Sequence, residues 1–348
     1  MFKIGSEDGK PGRIQQWYYD FVMQRDRIML DDLKSRDLLR PHMTTPKIIA
    51  FMIAGLIHSV TIILPIIGLW IILSRFAGYF SVCYGLLIFG IAYVIRPKLV
   101  THPTDGLSRT QYPTLYEFVD QISDTLSTPH IDVIVINEYP NASLGTFGLR
   151  QSTVLTMGYF FWMELDEQKR VAFIGHELAH QINNDSTRGL FVGTALHTLI
   201  NWYQLIYPDS IGRSRFGFFA MPVNLLLWAI ANGIFAMYLG LNQILLYERR
   251  RAEYLADYIG ATAGGTQNAI DMLRQFQRSN PQVTINAFTT HPSFDFRIEF
   301  LTSKKAMFPK FVLQPEYAKQ IDKELEALAP TMEARKRQKY KGKYNDYI

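Results

Sequence analysis

The chain has 348 residues, 48% of them hydrophobic and 14% aromatic, and a net charge of +5. That length allows one large domain or two modest ones, and the apolar share is high for a water-soluble protein. Its one cysteine, Cys83, excludes a disulfide framework and a cysteine metal cluster, so any metal site has to be built from His and carboxylates.

In chain order, residues 1–47 are too long and too charged to be the leading part of a cleaved signal peptide, so the first hydrophobic run is expected to stay as an anchor. Within them, residues 13–40 mix Trp17, Tyr18, Phe21, Val22, Ile28, Met29 and Leu33 with charges of both signs. An interfacial helix and a cytoplasmic extension packed on a folded domain are both open, because the periodicity does not separate them. Residues 48–73 and 76–95 carry no Asp, Glu, Lys or Arg and read as a transmembrane hairpin. Arg96-Pro97-Lys98 marks the exit. Residues 115–126 have helical spacing; residues 131–136 form a short β-branched strand, and 142–147 and 153–157 two more joined through a turn at 148–151. Asp166 is an N-cap for a helix whose apolar face runs Val171, Ile174, Leu178, Ile182.

Two further charge-free runs follow, 189–207 and 216–247. The second, at about 48 Å as a helix, exceeds the hydrocarbon thickness and is expected to continue as residues 248–257. If all four runs span, residues 1–47, 96–188 and 248–348 share one side, which then holds every Lys and Arg but Arg75, Arg213 and Arg215. The positive-inside rule makes that side, with both termini, cytoplasmic. His58, His197, Asn201, Asn224, Asn232 and Asn242 lie in these runs and read as interhelical hydrogen-bonding groups or as the lining of a polar cavity. The basic stretch 335–343 suits anionic headgroups or solvent, and a tethered chain needs no nucleic-acid partner to explain it.

The chemistry is carried by His176-Glu177-Leu178-Ala179-His180. Histidines four apart share a helix face, where both imidazoles reach one ion. Zinc with three protein ligands and an open position activates water, and Glu177 is placed to take the water's proton and pass it to the leaving amine. A carboxylate for the third position appears downstream at Glu253. Asp257 lies four residues further on the same face, so one of the two can ligate while the other accepts a hydrogen bond from a ligand imidazole.

These motifs resemble the HtpX-type membrane metallopeptidases, relatives of the CAAX prenyl endopeptidases. The resemblance covers roughly residues 48–300: two N-terminal runs, Pro140-Asn141-Ala142, HELAH followed by Asp185, two more runs, Arg250 to Asp257 (RRAEYLAD), then His291-Pro292 and Arg297. It implies that His176, His180 and Glu253 hold one Zn2+, with Asp257 partnering a ligand histidine and Asp185 near the motif. It further implies that Asn141 and Ala142 lie on the edge strand that receives substrate, that His291 donates to the oxyanion, and that Arg297 orients groups around it. The chain departs from the family pattern at Arg249, where a serine is frequent, and in its longer charged extension.

The expected fold is therefore an α-helical membrane protein with four transmembrane helices carrying a cytoplasmic α+β zincin-like domain. It divides into an extension (1–47), hairpin 1 (48–95), a first catalytic segment with the HELAH helix (96–188), hairpin 2 (189–247), a second catalytic segment with the third ligand (248–310) and a basic tail (311–348). The expected activity is zinc-dependent endopeptidase cleavage of misfolded or damaged membrane proteins in a stress response, at a bacterial cytoplasmic membrane. The partners are protein or peptide substrates and the lipid bilayer, with no nucleic acid. Two rivals are a CAAX-type processing peptidase, which encloses its site with more than four spans, and a non-catalytic peptide-binding adaptor, which has no need of the complete set His176, Glu177, His180 and Glu253.

Overall fold

The computed structural model describes residues 13–36, 39–75, 78–98, 105–148, 151–183, 185–208, 217–279 and 291–345. In chain order the elements are α1 (Arg13–Lys34), α2 (Thr45–Ser74), α3 (Phe80–Ile95), α4 (Pro113–Leu126), β1 (Val133–Asn137), β2 (Ala142–Phe147), β3 (Ser152–Gly158), α5 (Tyr159–Glu164), α6 (Glu167–Ile182), α7 (Asp185–Ile206), α8 (Gly217–Gly264), α9 (Thr266–Ser279), α10 (Phe294–Ser303), α11 (Pro315–Glu326) and α12 (Ala329–Asn345). They form two compact units. The first takes Met1–His42, His102–Ser186 and Arg249–Ile348, and the second takes Met43–Thr101 and Thr187–Glu248.

In the first unit the sheet order is β1-β3-β2, with β1 parallel and β2 antiparallel to the central β3. Val154, Leu155 and Met157 bury the middle strand, while among the described residues β2 pairs along one side only and leaves its other edge open. Strand β1 starts two residues later than the sequence suggests. Asp132 turns its carboxylate onto the backbone N–H and hydroxyl of Thr153, replacing ladder pairing at that position. Between β2 and β3 the chain turns with positive φ at Gly148 and Gln151, and residues 149–150 lie outside the described residues.

Asp166 caps α6 as expected, accepting from the Lys169 N–H at 3.0 Å, and Val171, Ile174 and Leu178 are fully buried. An aromatic core of Phe118, Phe161, Trp162, Phe173 and Phe276 packs around this helix. Residues 311–348, expected as a basic tail, contain α11, which belongs to this core. Its Glu324 accepts from the Thr114 and Leu115 N–H groups at the start of α4, and its Asp322 pairs with the buried Arg170. Val22, Met29, Leu30 and Leu33 of α1 are buried in the first unit, so this helix packs on the folded domain.

The second unit gathers α2, α3, α7 and the first portion of α8. Ala50, Ala54 and Ile57 pack with Val192, Ala195, Leu199, Leu241 and Leu245, so small residues let these helices approach closely. At the crossing of α2 and α3 a Cβ on Gly68 would lie 3.2 Å from the Gly85 carbonyl oxygen. His58 donates its ring N–H to the Phe191 carbonyl at 2.9 Å, an interhelical bond of the kind its position suggested. Among the described residues two helices are long and apolar enough to cross a membrane, Thr45–Ser74 and the Met221–Gly264 stretch of α8, and their most apolar stretches are only 11% and 6% buried. A core helix of a soluble protein shows the opposite. Helix α3 is apolar but has 16 residues. Helix α7 interleaves Thr194, His197, Thr198, Asn201 and Gln204 with its apolar residues. Of the four expected spans, two therefore meet the criteria of length and apolarity.

The charged end of α8 runs against α6 with almost no space between the backbones. A Cβ on Gly260 would lie 2.7 Å from the Ala172 carbonyl oxygen, and one on Gly264 would lie 2.5 Å from the Ala172 nitrogen. The neighbouring atoms are backbone and cannot swing away. Gly260→Ala is therefore expected to destabilise the first unit by about 1–3 kcal/mol through overpacking, read as a lowered midpoint of thermal unfolding in detergent. An unchanged midpoint would show that the seam has slack.

Candidate metal centre

Residues from α6, α8, α10 and the segment before α10 converge in the first unit. Helical spacing puts His176 and His180 on the same side of α6, with ring centroids 5.2 Å apart and ring planes nearly perpendicular. From α8 comes Glu253, so that one ligand atom from each of His176, His180 and Glu253 lies within 4.8 Å of the other two. His176 Nε2 is 3.5 Å from Glu253 Oε2, and His180 Nε2 is 3.7 Å from Oε1. These separations are long for hydrogen bonds. They approach the spacing of about 3.3 Å between ligand atoms that share a tetrahedral ion with bonds of about 2.0–2.1 Å.

Behind these residues lies a second layer of contacts. Asp257, one turn along α8 from Glu253, places Oδ1 3.1 Å from His176 Nδ1. That contact holds the proton on Nδ1 and turns the Nε2 lone pair toward Glu253 and His180. Arg297 of α10 grips Asp257 with two bonds, Nη2 to Oδ1 at 2.6 Å and Nε to Oδ2 at 2.8 Å, and lies 3.5 Å from Glu253 Oε2. His291 is 58% exposed, and its Nδ1 lies 2.8 Å from Glu253 Oε2.

Burial works against charge on Glu253, Asp257, His176 and Arg297, and the pairings overcome it. For Glu253, the neighbouring His291, the contact with His176 and the charge of Arg297 outweigh burial and hold the carboxyl well below the usual range. Asp257 is likewise lowered against burial, by Arg297 first and His176 second. His176, which burial alone would depress, is raised to about 10 by its contacts with Asp257 and Glu253. That value describes an imidazole competing for a proton between two carboxylates, the same lone pair that a metal ion takes in the proton's place.

The donor set fits a divalent cation. Glu177, Glu253 and Asp257 are three buried carboxylates against one buried guanidinium, Arg297. When the imidazoles give up their extra protons to bind a metal, buried carboxylate charge exceeds that of the one guanidinium, and the ion supplies the counter-charge. Glu253 Oε2 is also buried without a hydrogen bond of good geometry among the described residues, despite its near neighbours. An ion bound by two imidazole nitrogens and a carboxylate satisfies both.

Of the remaining expected residues, Asn141 is exposed just before β2, its carbonyl accepting from Gly158 N–H, and Ala142 opens β2 opposite Met157. Asp185 is the first residue of α7, and its side chain lies outside the described residues. Arg250 and Tyr254, given no role of their own by sequence reasoning, are both fully buried on the same helix as Glu253 and Asp257. A signal was present, since Arg250, Glu253, Tyr254 and Asp257 recur at the i, i+3, i+4, i+7 spacing of a core-facing helix stripe, with polar residues where apolar ones are usual.

A family model described as Peptidase family M48 matches residues 112–305, more than half of the chain and all of the elements that build this centre. Two similar proteins are both described as Protease HtpX homolog. The one from Pyrobaculum islandicum is 26% identical over 212 residues, covering 57% of this chain and 59% of that protein. Its counterpart from Pyrobaculum calidifontis is 27% identical over 189 residues, covering 51% and 52%. The chain thus spans between half and three-fifths of the length of these relatives. Among solved structures, the crystal structure of S. mikatae Ste24p aligns with a TM-score of 0.40 at 19% identity, over 74% of this chain and 66% of that one. The paired histidines of α6, the carboxylate of α8 and the extent of the family match lead to one assignment: the chain belongs to peptidase family M48.

Proposed function

We propose that this metallopeptidase is a zinc-dependent endopeptidase that cleaves proteins of the membrane in which it is anchored. The observation that carries the reading is the meeting of His176, His180 and Glu253, with Asp257 and Arg297 fixing them from behind. Two imidazoles and one carboxylate make the ligand set of a catalytic zinc with an open position. Zinc bound there supplies a Lewis acid that acidifies water and polarises the scissile carbonyl.

The chain's own residues do the rest. Glu177, buried on α6 between the two histidines in sequence, takes the proton of the attacking water and returns it to the departing amine. An extended substrate adds to the free edge of β2, beginning at Asn141 and Ala142, through main-chain hydrogen bonds that ask for little sequence preference. His291, at the exposed mouth of the site beside Glu253, donates to the oxyanion as it develops.

The exposed apolar surfaces of α2 and α8 favour a lipid environment, with α3 and α7 completing four spans through their packing in the second unit. Lys and Arg fall almost wholly outside the four runs and their short connections, which favours a cytoplasmic site. Tethering the site to the bilayer raises its effective concentration toward membrane-borne chains, and damaged or misfolded membrane proteins present the extended segments that an edge strand captures.

Three measurements test this reading. Glu177→Gln keeps all three ligands and removes the base, so zinc is expected to stay near one per chain while casein hydrolysis falls by about 10²–10⁴; a variant that still cleaves at wild-type rate would sink the role of Glu177. In His291→Ala, zinc content and KM are expected to hold while kcat drops by about 10²–10³. Loss of zinc in that variant would make His291 part of the metal site instead. For topology, cysteines placed in residues 208–215 are expected to react with an impermeant maleimide added outside intact cells, and cysteines near residue 20 to be protected. The reverse pattern overturns the orientation.

A further inference from the structure

Helix α1 is tied to the same two helices that hold the carboxylates and the guanidinium of the metal centre. Its Asp26 is buried and forms an ion pair at 2.6 Å with Arg250, which is fully buried on α8 one turn before Glu253. On its other flank α1 sends Arg27 and Lys34 to Glu299 of α10, at 2.5 and 2.8 Å, and Arg27 also lies over the Phe296 ring. Lys304, just past α10, returns to α1 and donates to the carbonyls of Leu33, Lys34 and Arg36 at its end. The triangle closes where Arg297 of α10 grips Asp257 of α8 and where Phe300 packs edge-on against Tyr254.

A buried ion pair is a poor source of net stability, because taking two charges out of water costs about as much as their attraction returns. Burial does push the Asp26 carboxyl up despite the facing guanidinium. What such a pair supplies is register: Arg250 has to sit where its charge is met, and on a rigid helix this fixes the rotation and height of the turn that carries Glu253 and Asp257.

We infer that Asp26 of the N-terminal helix is a positioning residue of the metal centre, acting through its buried pair with Arg250 to set where α8 presents Glu253. This inference rests on the reading of His176, His180 and Glu253 as the metal ligands. The extension is then a structural component of the peptidase site, and α1, α8 and α10 form a closed three-helix clamp around it.

The test uses the full chain in detergent with cobalt(II) as probe, because its visible bands report ligand number and geometry. Wild type is expected to bind one cobalt with tetrahedral-type bands. D26N is expected to bind it about tenfold more weakly or worse, with shifted bands and a lower kcat at similar KM, the range seen when groups supporting a metal ligand are removed. R250K keeps the charge opposite Asp26 while losing the fork, so it serves as the variant that stays folded; it is expected to shift the bands in the same direction, and it decides the matter if D26N does not fold. Wild-type cobalt affinity and spectrum in the folded variants overturn the inference. So does a lowered melting temperature with an unshifted spectrum, which makes Asp26 structural only. A wild-type chain that binds no cobalt overturns instead the metal reading on which the inference rests.

Discussion

Two carboxylates one turn apart on a single helix, Glu253 and Asp257, are buried almost completely, and the rest of the first unit is arranged around the need to neutralise them. A lone buried carboxylate would take up a proton sooner than stay charged. Here both are held below their ordinary range, Asp257 by the forked Arg297 and His176, Glu253 by His291, His176 and Arg297. The groups that meet them come from three other places in the chain, α6, α10 and the segment before it, so satisfying two side chains of α8 fixes the mutual placement of all these elements. The negative charge that remains is what makes the cluster a site for a divalent ion and not simply an ion-pair network.

Helix α8 has 48 residues and changes character along its length. Toward its start large apolar side chains, Val223, Leu225, Leu226 and Ile230 among them, are exposed, while Leu241 and Leu245 pack into the core of the second unit. From Glu248 onward the pattern inverts, and charged residues Glu248, Arg250, Glu253 and Asp257 are buried. The inversion has one physical source: the leading stretch of the helix is suited to a medium that does not hydrate it, and the remainder to a polar interior in which each charge has a partner. At the change-over, Glu248 accepts from Thr44, the N-cap of α2, inside the second unit, so even the last residue assigned to that unit is pinned by a buried polar bond. The apolar stretch and Glu253 are thus carried by one helix.

The close approach of α6 and α8 is the steric counterpart of this electrostatic design. Ala172 on one helix and Gly260 and Gly264 on the other remove the side chains that would otherwise hold the backbones apart. Only at that separation can a carboxylate on α8 and two imidazoles on α6 converge within the span of one ion. Packing and chemistry thus make the same demand on these positions.

Much of this was written in the local sequence. The period of four between His176 and His180, the cap at Asp166, the turn at 148–151 and the charge-free runs are all short-range patterns, and they located α6, the β2–β3 pair, and the long helix that carries Glu253 and Asp257. The two histidines pointed to a metal because helical geometry alone puts them side by side. What the sequence left open was every relation between residues distant along the chain. That α1 packs on the first unit is seen only where Asp26 meets Arg250, 224 positions away. Glu299 drew Arg27 and Lys34 to α10, and Glu324 drew part of the segment expected as a basic tail onto α4. Nor could composition tell that His291 would approach Glu253 or that Arg297 would hold Asp257, since the residues flanking them give no local sign of a partner. Periodicity reports which face of an element is apolar, but the pairing of buried charges is decided only when the chain closes, because an ion pair is specified by the position of its partner in space and not along the sequence.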